Sequence, residues 1–230
     1  VRSVATPGAA PPSSTPFNSA QLPEVIGSLM ALSDINRFSH IVMDGSPVNA
    51  PFGLQAVKAF ALRLFGGELR ATHRHPLEPG RTLHLLPEAD LPDDMQWAGP
   101  NPRVAGAVAR WAAAVERESM QVIPDRTRQL VHNSLEQWQG EQMPISRSWV
   151  EQEVDGLEGN ERAIARLALL IAKASYQTDD NLVAEVLQYN PKQEQFLRIL
   201  AWSTFTAARY VAARIARLSD NTRPVLRQVA

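Results

Sequence analysis

Cysteine is absent from all 230 residues, and that absence removes disulfides, thiolate metal sites and thiol nucleophiles from this chain together. Phosphate-cradling glycine loops of the Gly-x-Gly-x-x-Gly or Walker type are also missing, as are a Gly-x-Ser-x-Gly nucleophile elbow and any zinc-finger spacing. Long apolar runs are scarce. The longest, Leu167 to Ala172, is bracketed by Arg166 and Lys173, far short of the roughly 20 residues that span a bilayer. An excess of either charge is lacking too: 23 basic and 24 acidic residues leave a formal net charge of −1. Nothing electrostatic therefore favours a nucleic acid or an anionic membrane, and neither is an expected partner. The N-terminal stretch has no apolar h-region, so no secretory signal is expected and a cytoplasmic location is the default. No motif implies a cofactor.

What is present is an ordinary globular composition, 44% hydrophobic and 20% charged. Proline divides the chain: 13 of the 17 prolines lie in residues 1–102. Residues 1–20 are small, Pro-rich and without periodicity, which reads as a disordered or loosely draped arm. Residues 21–100 read as helices plus a long irregular loop. Gln21 to Met43 places Leu22, Val25, Ile26, Leu29 and Leu32 at helical spacing, and Phe52 to Phe65 carries a second stripe. Residues 66–102 are the least regular part, with a weakly alternating run from Arg81 to Leu86 that suits a strand, and form a candidate lid or partner arm.

Residues 101–220 read as a helical core. Asn101-Pro102 is a helix start with Asn as cap, predicting a helix to about Val122. Pro124 opens another that Gly140 ends, and Ser146 caps a short one to Leu157. Asn160 is the expected cap of Glu161–Tyr176, and Thr178 that of Asp179–Gln188. Asn190-Pro191 opens a final helix to about Leu218. Glu161 to Leu218 is apolar nearly all the way round, so these helices must be buried on several sides. The fold class is all-α, with packed antiparallel helices and an irregular Pro-rich N-terminal region.

Within that run, ARLALLIAKASYQTDD followed by LAWSTFTAARYVAARI resembles the alkylhydroperoxidase-like family, also called carboxymuconolactone decarboxylase-like. The residues that carry the resemblance are Arg166 to Asp180 and Ala201 to Arg209. A looser likeness covers Val122 to Trp149, with its Pro-Asp-Arg, Trp-x-Gly-Glu and Ser-Arg-Ser-Trp pieces. The resemblance implies a packed helical fold that assembles through its helical faces, so a homo-oligomer is expected. It also implies, in active members, a Cys-x-x-Cys pair opening a helix, with a nearby Glu and a following His as proton relay. A cysteine-free chain cannot supply that thiol chemistry, and thiol peroxidase activity is not expected of these residues.

The candidate site residues each have a bland reading beside the sharp one. Tyr176, Asp179 and Asp180 could do acid–base work, or the acids could start a helix while the tyrosine closes the core. Arg166, Arg198, Arg209 and Arg214 interrupt apolar faces; each needs a carboxylate partner, with Asp179, Asp180, Glu161 and Glu194 the natural ones, or lines an anion pocket. Among them Arg209 is a catalytic candidate and Arg166 a ligand-binding one. Trp202, Phe205 and Tyr210 could line a ligand cavity or be plain core. His73 and His75 are candidate metal ligands, against a solvated loop and no metal at all. These readings point to binding of a small organic ligand, or an oligomeric scaffold, through the helical core. The competing readings are a cysteine-independent decarboxylase or isomerase using Arg and Asp/His in an interhelical pocket, and a structural subunit of a larger assembly.

Overall fold

A computed structural model describes residues 17–18, 20–43 and 78–221. The helical stripe at Phe52–Phe65, most of the N-terminal arm, and His73 and His75 lie outside the described residues. The described chain is built from helices: α1 (Leu22–Met43), α2 (Pro102–Ser119), α3 (Asp125–Gln137), α4 (Ser148–Glu153), α5 (Gly159–Ala174), α6 (Asp180–Tyr189) and α7 (Gln193–Asn221), with 3-10 turns at Leu83–Leu85, Asp93–Ala98 and Ser175–Gln177. No strand occurs among the described residues. Arg81 to Leu86, expected as extended, contains a 3-10 turn instead. No neighbouring strand is there to satisfy an extended backbone, and local i to i+3 bonds from Leu83 and Leu85 take its place.

Local chemistry sets most helix ends. Asn101 accepts from the backbone N–H groups of Arg103 and Val104, satisfying two orphan donors at the start of α2. Asp179, not Thr178, caps α6 by accepting from Leu182 N at 3.0 Å, while the Thr178 hydroxyl donates to Ser175 O. Asn160 lies inside α5 rather than at its cap; its Oδ1 accepts from Asn190 Nδ2 at 2.7 Å. Asn190 is buried at the α6–α7 joint, so its amide needs that partner. Gly140 holds φ +85°, a left-handed conformation, just after α3 ends. At the other end of α5, Arg37 of α1 donates to the carbonyls of Ile171 and Ala172, a cation where the helix dipole is negative.

The long helix α7 is the spine, packed on α1, α2, α3 and α5 and on the Asp93–Ala98 turn. Its first half sends Phe196, Ile199, Leu200 and Trp202 into one core with α3, α5 and α6. Its second half sends Phe205, Ala208, Ala212 and Ala216 into another, against α1 and α2. Small residues in that second half let α1 approach closely. The helix α5 is buried nearly all round, with every residue from Leu167 to Ala172 in the interior. Each such leucine or isoleucine contributes about 1.5–3 kcal/mol of transfer free energy. Met95 and Ala98 have no exposed surface and belong to the second core. The stretch 93–98, within the residues read as a candidate lid or partner arm, is therefore anchored in the packed body. No helix among the described residues is long and apolar enough to cross a membrane.

Candidate functional site

The helix α3 organises the polar chemistry through its four-residue periodicity. Thr127, Val131 and Leu135 are one stripe and are buried in the core. The next stripe, about 100° round the helix, is Arg128, His132 and Glu136. His132 and Glu136 of this stripe line a cavity of about 330 Å³ between α2, α3, α7 and the Asp93–Ala98 turn, together with Asp94, Glu116 and Arg209.

Arg209 reaches across this cavity with a two-pronged grip on Asp94, Nε to Oδ2 and Nη2 to Oδ1, both at 2.6 Å. Its Nη1 lies 3.7 Å from Glu116 Oε1. Glu116 also accepts from Arg128 Nη1 at 2.6 Å, and Arg128 Nη2 donates to Ser119 Oγ. The arginine side chains are mostly buried, 19% exposed for Arg209 and 20% for Arg128. These paired, charge-assisted bonds hold both carboxylates in fixed positions. Behind them Trp202 is fully buried, with the Arg128 guanidinium 5.3 Å above its ring and the His132 ring edge-on at 6.2 Å. Tyr210 closes one side, its hydroxyl donating to Trp138 O at 2.5 Å.

The electrostatics follow from that packing. Burial pushes the His132 imidazole below its ordinary value; Glu116 and Glu136 pull it up, while Arg209 and Arg128 push it further down. The ring is therefore held neutral at neutral pH. Burial alone would raise the Asp94 carboxyl, but the hydrogen bonds and charge of Arg209 outweigh it and keep it below the usual carboxylate range. Asp94 in turn holds the Arg209 guanidinium above its usual value, against the opposing effect of burial. A neutral imidazole beside a fixed guanidinium and two anions can accept a proton from a small molecule whose developing negative charge faces the arginine.

Of the residues singled out in the sequence, Arg209 is placed in this cavity, and Tyr210, which with Trp202 and Phe205 was an aromatic candidate for lining one, stands at its side. Trp202 supports His132 from the core, and Phe205 packs edge-to-face on Trp111 at 4.8 Å in the second core. Arg166 belongs elsewhere, bridging Glu151 at 2.8 Å and Glu185, so that α4, α5 and α6 are tied together. Arg198 pairs with Glu194 at 2.6 Å and Glu118, and Arg214 donates to Trp138 O. Among the expected carboxylate partners only Glu194 is used by these arginines. Arg209 chose Asp94, 115 positions away, which sequence spacing could not indicate.

The Tyr176, Asp179 and Asp180 set is apart from the cavity. Asp179 caps α6 and accepts from Arg147 Nη2 at 2.8 Å, and Asp180 stands in the first turn of that helix. Burial would raise the Asp179 carboxyl, yet the Leu182 N–H and Arg147 hold it low. Tyr176 is exposed, not closing the core, and donates to Met143 O at 3.1 Å. No group of three His, Asp or Glu that could hold a metal occurs among the described residues.

His132 and Glu116 were not singled out in the sequence. The signal for His132 was the Arg128–His132–Glu136 repeat at four-residue spacing, with arginine at its head and an acid at its tail; Glu116, on α2, had none.

The site defines a class first: an all-α protein with a polar pocket between helices, in which an imidazole, a guanidinium and carboxylates converge. A curated alkyl hydroperoxide reductase of Mycobacterium tuberculosis is 30% identical over 213 residues, 92% of this chain and 60% of that protein. That likeness supports the resemblance to the alkylhydroperoxidase-like family. It spans less than two thirds of the relative's own length. No protein-family model matches the chain. No solved structure matches it.

Proposed function

We propose that this chain binds a small organic acid in the cavity between α2, α3 and α7, and that His132 moves a proton on it. The observation that carries this reading is the convergence of His132, Arg209, Glu116 and Asp94 on one cavity of about 330 Å³. That volume lies at the small end of ligand pockets. The bound molecule offers a carbonyl oxygen to the N–H groups of Arg209 that Asp94 leaves open, and neutral His132 removes the acidic proton next to it. Proton abstraction beside a carbonyl needs no thiol, which suits a chain without cysteine. A Glu and a His are residue types the family uses as a proton relay, and Glu116 and His132 both line this cavity. The chemistry is then of the isomerase or decarboxylase kind, on a lactone or a β-dicarbonyl acid.

Acetoacetate in D₂O is a suitable probe, followed by NMR for loss of its α-protons and for release of carbon dioxide. The wild-type chain is expected to accelerate exchange above the buffer rate. His132→Gln should lower that acceleration by roughly 10²-fold or more, the usual contribution of general acid–base catalysis. Exchange no faster than in buffer, or undiminished in the variant, would sink the reading.

A further inference from the structure

The opposite flank of α3 carries a second, larger cavity of about 590 Å³, open to solvent, and nothing in the proton-transfer reading uses it. Its outer wall is a ladder of primary amides, Gln129, Asn133 and Gln137, at four-residue spacing along the helix. Those three side chains form no hydrogen bond among the described residues and are exposed. From Gln129 to Gln137 the ladder rises eight residue steps, about 12 Å of helix. Its inner wall is the neighbouring stripe, Leu130, Ser134 and Trp138.

At the base lies a charged group that is almost fully buried. The Lys173 side chain is 5% exposed, and its Nζ donates to Glu153 Oε1 at 2.9 Å and Oε2 at 3.2 Å. The ammonium also sits 5.6 Å above the Trp149 ring. Ser134 Oγ donates to the same carboxylate. Arg126, at one end of the groove, pairs with Glu161 and donates to Gly156 O. Each cation thus meets an anion, and Glu141 adds one more carboxylate.

That balance decides the ligand class. An anion would meet cations already neutralised and an extra carboxylate besides; a cation would meet guanidinium and ammonium groups. An apolar molecule would strand three amides and a hydroxyl without water. A neutral, polyhydroxylated molecule fits. Every amide offers an acceptor and a two-proton donor side by side, and each sugar hydroxyl is donor and acceptor at once. The carbons of Leu130, Leu157 and Trp138 supply an apolar surface for the C–H face of a sugar ring.

We propose that the outer groove of α3 is a carbohydrate-binding site, taking a neutral oligosaccharide of two or three units along the Gln129–Asn133–Gln137 ladder. The amides recognise successive hydroxyls, and the Glu153–Lys173 pair fixes the floor.

The test titrates the full chain with maltotriose and with cellotriose, two neutral trisaccharides of opposite linkage, and with trigalacturonate as an anionic counterpart. Side-chain NH₂ resonances of the three residues report binding by NMR. At least one neutral trisaccharide should shift all three, and trigalacturonate should bind more weakly. The double variant Asn133→Leu, Gln137→Leu changes only exposed positions, and its thermal midpoint checks that it folds. It should weaken binding roughly tenfold, the loss of one or two net hydrogen bonds. His132→Gln should leave sugar binding unchanged, so a failure here is separable from a failure of proton transfer. No amide shift with either neutral sugar, shifts that survive in the double variant, or tighter binding of trigalacturonate would each overturn the assignment.

Discussion

The two flanks of α3 carry comparable numbers of polar groups and treat them in opposite ways. On one, His132 and Glu136 face a small, partly enclosed space, where burial and neighbouring charges displace the titration of His132, Asp94 and Arg209. On the other, Lys173 pairs with Glu153 and Arg126 with Glu161, and the exposed wall is made of uncharged amides beside one further carboxylate, Glu141. The first arrangement suits a molecule that gains or loses charge, and the second one that carries none. The difference comes from enclosure. A charge in a narrow cavity interacts strongly with its neighbours, whereas an open groove lets water screen them.

The comparison breaks most completely if α3 loses its anchorage. Leu135 is 2% exposed, lies in the first core and also lines the enclosed cavity. Leu135→Ala should cost about 2–5 kcal/mol in a urea unfolding experiment, and should weaken ligand binding on both flanks. A loss below ~1 kcal/mol would mean that α3 is held by something other than its buried stripe.

A smaller effect separates the flanks. Lys173→Met keeps the length of the side chain but leaves the Glu153 carboxylate without its cation. Because Glu153 is 27% exposed, the full cost of a broken buried pair must be discounted, to about 1–3 kcal/mol. Trisaccharide binding should fall while acetoacetate exchange stays at the wild-type rate. Equal damage to both would show the two cavities to be coupled through α3.

The smallest effect is in pH. The His132 imidazole titrates below its unfolded value, so the unfolded chain takes up a proton first as pH falls. Its contribution to stability is full above the ordinary histidine value of about 6.5 and is lost as pH drops through the window down to its folded value. His132→Gln should flatten the pH dependence of unfolding in that window. An unchanged slope would show that other groups set it. Asp94 acts lower down: its folded value is depressed, so its contribution is full above the ordinary carboxylate value and is lost as pH falls from there through the folded value.

Much of the architecture was legible in the residues. Asn101 and the apolar surround of Leu167–Ala172 announced a capped helix and a buried one, and both are present. Where caps were misassigned the error was one of competition. Asn160 is a good cap by type, but buried Asn190 claimed its side chain. Thr178 lost the start of α6 to Asp179, whose carboxylate also draws Arg147. The site was less legible. Arg209 stood out as a charge on an apolar face, whereas His132 resembled any histidine in an amphipathic helix. Asp94 sat in a stretch read as a candidate lid or partner arm, although Met95 and Ala98 anchor that stretch in the second core.

The sequence by itself determined that the chain is helical, that its last two long apolar segments are interior, that it resembles the alkylhydroperoxidase-like family, and that thiol chemistry is closed to it. Those properties follow from periodicity, local capping and composition, which neighbouring residues carry among themselves. Which arginine meets which carboxylate was decided only by tertiary structure. Ion pairs such as Arg209 with Asp94 join residues brought together by packing, and packing of α7 against α2 and the Asp93–Ala98 turn is what encloses the cavity and displaces the protons within it.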